Sequence, residues 1–121
     1  MCGRPFYLVV PACAFSYTLE VVAPREQMSR VPTPTLPIHA YREQILSELR
    51  SSPVIIVLGD TGCGKTTQLP QILAEEGYGR ICITQPRRVA AIAAARRVAQ
   101  ECGAQLGGAV GFAVRFEHAC T

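Results

Sequence analysis

Eight consecutive residues, Gly59, Asp60, Thr61, Gly62, Cys63, Gly64, Lys65 and Thr66, satisfy the pattern G-x-x-x-x-G-K-S/T and follow directly on the apolar run Val54 to Leu58. The chemistry such a pattern can do is the holding of phosphate. A strand that ends, a tight bend and a helix that opens with unpaired N–H groups together make an anion site. Glycines at 59, 62 and 64 allow positive φ and let backbone amides approach a phosphate with no Cβ in the way. Lys65 would reach the β- and γ-phosphates as a compact point charge, and the Thr66 hydroxyl would ligate Mg²⁺ held between them. A nucleoside triphosphate is the implied ligand. The plain alternative, a glycine-rich turn with an exposed lysine, is disfavoured by the strand expected before the loop and the helix expected after it. Cys63 takes a free position of the pattern and reads as a tolerated small side chain rather than a redox centre.

The elements that must position this loop follow from periodicity. Apolar residues at Ile38, Tyr41, Ile45, Leu46 and Leu49 recur at helical spacing, so an amphipathic helix precedes the strand Val54–Leu58. After the loop a helix is expected from about Gly64 to Glu76, stopping near Gly77 and Gly79, with Pro70 as a local irregularity. Arg80 to Thr84 reads as a second strand. Gln85-Pro86 opens an alanine-rich helix running to about Glu101, with Val89, Ala90, Ile92, Ala93 and Ala94 as its smooth apolar surface, and Val110 to Phe116 reads as a third strand. Strand and helix alternate, which predicts an α/β fold with parallel strands joined by crossovers and a ligand at their carboxyl ends.

At 121 residues the chain suits one domain or a piece of one, and 49% hydrophobic with 17% charged residues describes a globular chain. The net charge of +3 permits a nucleic-acid partner without requiring one. The six cysteines, at 2, 13, 63, 82, 102 and 120, include no C-x-x-C and no zinc-like spacing, so a reduced, intracellular compartment, nucleus or cytoplasm, is the expectation. Met1 to Ala14 mimics a secretory signal, but Pro5 and Pro11 bracket a short apolar core behind one positive charge, and the segment is not read as one. No run of eighteen apolar residues exists, so no membrane span is expected. Residues 1 to 35 show no clear period and, with prolines at 32, 34 and 37, are expected to form a flexible arm or linker, leaving 36 to 121 as the folded portion.

A second signature, Thr84-Gln85-Pro86-Arg87-Arg88-Val89-Ala90-Ala91, lies about twenty residues beyond the loop at another expected strand-to-helix junction. Together with Leu36-Pro37-Ile38, Thr66-Thr67-Gln68-Leu69-Pro70-Gln71 and Val110 to Glu117, it resembles the DEAH-box helicases of superfamily 2 over about residues 36 to 118. The resemblance implies the amino-terminal part of the first RecA-like domain of an ATP-dependent RNA helicase: a P-loop parallel sheet with flanking helices, truncated. It implies ATP with Mg²⁺ at Gly59 to Thr66 and Thr67, and contacts to an RNA backbone from Thr84, Arg87 and Arg88. It further implies an arginine stacked on the adenine, at Arg97 by register, a normal place for Pro70, and room for an activating protein partner that it does not identify. Read without the family, Arg87, Arg88, Arg96 and Arg97 are solvated helix positions, although cations at a helix start are mildly unfavourable and want an anionic partner. Arg115 reads as structural.

Hydrolysis needs more than phosphate binding: an acid for the metal, a group that orients water and a cation for transition-state charge. Asp60 is the sole aspartate and lies inside the loop. Glu75-Glu76 reads as a solvated turn, Glu117 lacks a metal-binding context, and His39 and His118 are isolated. In the family the remaining parts lie further along the chain, so this stretch is expected to be incompetent alone and marginally stable. The alternative is a nucleotide-binding module without turnover.

Overall fold

The computed structural model describes residues 6–8, 17–22 and 35–119. Most of the signal-like stretch Met1 to Ala14, and the proline-alternating stretch as far as Pro34, lie outside the described residues. The elements in order are β1 (Phe6–Leu8), β2 (Tyr17–Val22), a 3₁₀ segment (Pro37–Tyr41), α1 (Arg42–Ser51), α2 (Lys65–Glu75), β3 (Arg80–Gln85), α3 (Arg88–Glu101), β4 (Val110–Val114) and β5 (Glu117–Ala119).

Helix positions match the spacing of apolar residues closely. Proline opens the 3₁₀ segment, where its missing N–H costs nothing, and α1 continues from it with Ile45 and Leu46 buried. α2 and α3 end where expected, at Gly77 and Gly103, both left-handed. The face α3 buries is Ala91, Ala94, Ala95, Val98 and Ala99, a strict i, i+3, i+4 stripe, whereas Val89 and Ala93 of the expected apolar surface are exposed. Small side chains along this stripe let α3 lie close to the sheet. Ile81 and Ile83 of β3, and Val110, Phe112 and Val114 of β4, alternate inward to meet it, and Leu69, Ile72 and Leu73 of α2 complete the core.

The sheet differs from the parallel arrangement expected. Its strand order is β1-β3-β2-β4-β5, with only β1 and β3 paired in parallel; β2 runs antiparallel to both β3 and β4, and β4 to β5. β3 and β4 therefore run in the same direction, joined by α3 as the pattern predicts, but β2 from the supposed arm is inserted between them. The run Val54–Leu58, read as the leading strand, has no ladder partner among the described residues; Val54, Ile56 and Leu58 are 76%, 84% and 90% exposed. The physical reason is that the interior sheet position an apolar run would fill is taken by β2, leaving the run extended at the periphery with only Ile55 packed on the core.

Two further expectations change. β4 stops at Val114 rather than Phe116, because Arg115 and Phe116 form the two-residue connection to β5, with Phe116 at φ 69°. Glu76 is an exposed turn residue as expected, but the pair is not merely solvated: Arg42 reaches both Glu75 and Glu76, at 2.6 Å each, and pins the start of α1 to the end of α2.

Candidate nucleotide site

The loop Gly59–Thr66 passes from the extended run into α2, and Gly64, the residue before the helix, has φ 101°. That value excludes an ordinary L side chain, and space excludes one too: a Cβ there would lie 2.9 Å from Gln68 Cγ, 3.0 Å from Ile38 Cγ2 and 3.2 Å from Leu36 Cδ1. Leu36 and Ile38 thus buttress the loop, and the Ile38 amide donates to the Cys63 carbonyl at 3.2 Å. Gly62 is also left-handed, at φ 83°. Gly59, expected to share that freedom, does not adopt a positive φ; a Cβ there would lie 3.0 Å from Cys63 Sγ, a tight contact at which that side chain would have to shift.

Lys65 folds back over the loop. Its Nζ donates to the Gly59 carbonyl at 2.6 Å and the Asp60 carbonyl at 2.7 Å, with Cys63 Sγ at 3.4 Å. The cation therefore closes the loop on itself and must exchange two carbonyls for an incoming anion. Asp60 and Thr61 are exposed at the tip, while Thr66 and Thr67 are half-buried on the first turn of α2. No side chain caps that helix start, so its first N–H groups face the loop unopposed by a local acceptor. Beside the loop, α1 and the run 54–58 enclose an open cavity of about 600 Å³. Its wall includes Ile38, Tyr41 and Ile45.

A polar network that sequence reasoning missed lies under the helix. Gln68, Gln71 and Glu101 are all buried. Glu101 Oε2 accepts from Gln68 Nε2 at 2.6 Å and from Gln71 Nε2 at 2.7 Å, and its Oε1 accepts from Arg97 Nε at 2.5 Å. Gln68 in turn accepts from His39 Nε2 at 3.0 Å and donates to Thr67 Oγ1 at 3.3 Å, so His39 is not isolated. Burial alone would raise the Glu101 carboxyl, but hydrogen bonds from Gln71, Arg97 and Gln68, with the Arg97 charge, outweigh it and hold the group below its ordinary 4.5. The signal was available as two glutamines three apart on a buried helix face and an Arg–Glu pair four apart on the next helix.

The remaining candidates sit at the other end of α3. Arg87 precedes the helix, exposed and with no ion pair among the described residues; Arg88 is exposed and paired with Glu117 at 2.8 Å. Thr84 is half-buried at the end of β3, and its Oγ1 is buried with no hydrogen-bond partner among the described residues. From Arg88 to Arg97 the helix rises about 14 Å, so these groups and the loop-side network are not brought together. Among the described residues no group of His, Cys, Asp and Glu forms a metal-binding cluster, and no helix is long and apolar enough to cross a membrane.

No family model matches the chain. It is similar to the protein described as probable ATP-dependent RNA helicase DHR2 of Saccharomyces cerevisiae, 49% identical over 92 residues. The match takes in 72% of this chain but spans only 12% of the length of that helicase.

Proposed function

We propose, from the premise that the chain belongs to the DEAH-box ATP-dependent RNA helicases, that residues 36 to 121 are a portion of a RecA-like ATP-binding domain that serves RNA or ribonucleoprotein remodelling. ATP is the ligand of Gly59 to Thr67. The observation that carries this reading is Gly64: a left-handed, sterically closed position between buttressing side chains and an uncapped helix start, with Lys65 alongside. Such a loop offers amides to a triphosphate, and Lys65 trades the Gly59 and Asp60 carbonyls for phosphate oxygens. Thr66 would supply one hydroxyl to hold Mg²⁺, which would neutralise phosphate charge there. Arg97 faces the base and Thr84, Arg87 and Arg88 face the RNA backbone. The setting is intracellular, nucleus or cytoplasm, and an activating protein partner is compatible with it.

Nucleotide binding without turnover is the second reading for this stretch taken alone. Its support is that Asp60, the only aspartate, is exposed within the loop, and that no metal-binding cluster of His, Cys, Asp and Glu stands among the described residues.

Equilibrium binding of a fluorescent ATP analogue with and without Mg²⁺ tests the assignment. Binding should be Mg²⁺-assisted and weakened about tenfold or more by Lys65→Ala, since a charge-assisted contact is removed. Unchanged affinity in that variant would remove the loop assignment.

A further inference from the structure

We propose that Glu101 is a positioning residue for the nucleotide site: buried between α2 and α3, it aims the Arg97 guanidinium and ties that aim to the helix opened by the glycine loop. The inference rests on the reading of Arg97 as the base contact and deepens it. A carboxylate that is 5% exposed is costly to bury unless it is hydrogen-bonded, and here it accepts three bonds, two at one oxygen and one at the other. The partners are not interchangeable. One oxygen takes the two amides of α2, and the other takes only Nε of Arg97.

A planar guanidinium held through Nε keeps its terminal nitrogens and its flat face available, and the Arg97 side chain is 55% exposed. Glu101 itself is fixed from α2, so the point that holds Arg97 does not move with it. Gln68, which supplies one of the two amides, donates its main-chain N–H to the Gly64 carbonyl at 2.8 Å and fills the space beneath Gly64. Gln71, which supplies the other, also donates to the Thr67 carbonyl at 2.7 Å. The same two side chains thus touch the phosphate-side loop and turn at one end and the arginine-bearing carboxylate at the other. A purely structural cross-link between α2 and α3 would need neither the charge nor the exposed arginine at its terminus.

The test compares two ligands on the whole chain: ATP and inorganic tripolyphosphate, each with Mg²⁺, measured for wild type, Glu101→Gln, Arg97→Ala and the double variant. Glu101→Gln and Arg97→Ala should each weaken ATP about three- to tenfold, as expected for loss of an oriented cation over a ring, and leave tripolyphosphate unchanged. The double variant should be no weaker than either single one, because Glu101 acts through Arg97. Arg97→Lys, an exposed change that keeps the charge but lacks Nε, should reproduce the loss of ATP affinity and leave tripolyphosphate unchanged, which secures the result should Glu101→Gln fold poorly. Wild-type ATP affinity in Glu101→Gln with a loss in Arg97→Ala would overturn the positioning role alone. Wild-type affinity in Arg97→Ala would overturn the base reading and this inference with it. Equal losses for both ligands in Glu101→Gln would show a scaffold for the loop and also overturn it.

Discussion

Gly64 occupies a point where a side chain is excluded twice over, by its backbone angle and by the atoms that crowd it. Gly64→Ala should therefore cost stability, about 1–3 kcal/mol for forcing a Cβ into a left-handed, occupied position, read as a lowered thermal midpoint together with loss of nucleotide binding. Glu101 makes a separate prediction about acid. Its folded carboxyl lies below the unfolded value, so the stability it contributes is complete above about pH 4.5 and is lost as pH falls through the folded value. The wild-type thermal midpoint should drop more steeply than that of Glu101→Gln between about pH 5 and 3; parallel profiles would exclude the network as the cause. The two residues were unequally legible. The loop was readable because glycine, lysine and threonine at fixed spacing have few other uses. Glu101 was not, since an i, i+4 Arg–Glu pair is the commonest ornament of a solvated helix face, and only burial by α2 makes it costly.

Elements were legible where a period decided them. α1, α2, β3, α3 and β4 all stand within a few residues of the positions that the apolar spacing predicts. Periodicity cannot say which apolar run wins an interior sheet position, so Val54–Leu58 and Tyr17–Val22 exchanged the roles expected of them. Nor did it reveal how α1 is held. Arg42 bridges Glu75 and Glu76 with both terminal nitrogens, and Arg50 approaches Glu76 at 3.7 Å. Since all three side chains of the bridge are largely covered, Arg42→Ala should cost about 1 kcal/mol and lower the midpoint by about 4–8 °C. High salt should narrow that difference, and an undiminished midpoint in Arg42→Ala would show that α1 is held by its apolar face alone.

At the scale of the molecule, the run Val54–Leu58, with three large apolar side chains exposed and no ladder partner among the described residues, is an open invitation to strand addition. Light scattering of the chain should rise with concentration, and Ile56→Lys, which places a charge on that run, should suppress the rise without lowering the thermal midpoint; equal scattering in the variant would shift the cause elsewhere. The two cations at the start of α3 differ in a way that matters to any polyanion. Arg88 already carries Glu117 as its counter-charge, whereas Arg87 has no ion pair among the described residues. A phosphate arriving at Arg88 displaces a carboxylate that belongs to the protein, and one arriving at Arg87 displaces only mobile salt ions. For the RNA binding proposed above, Arg87→Ala should reduce the dependence of affinity on salt by about one phosphate contact, and Arg88→Ala by less, because Glu117 offsets part of the Arg88 charge.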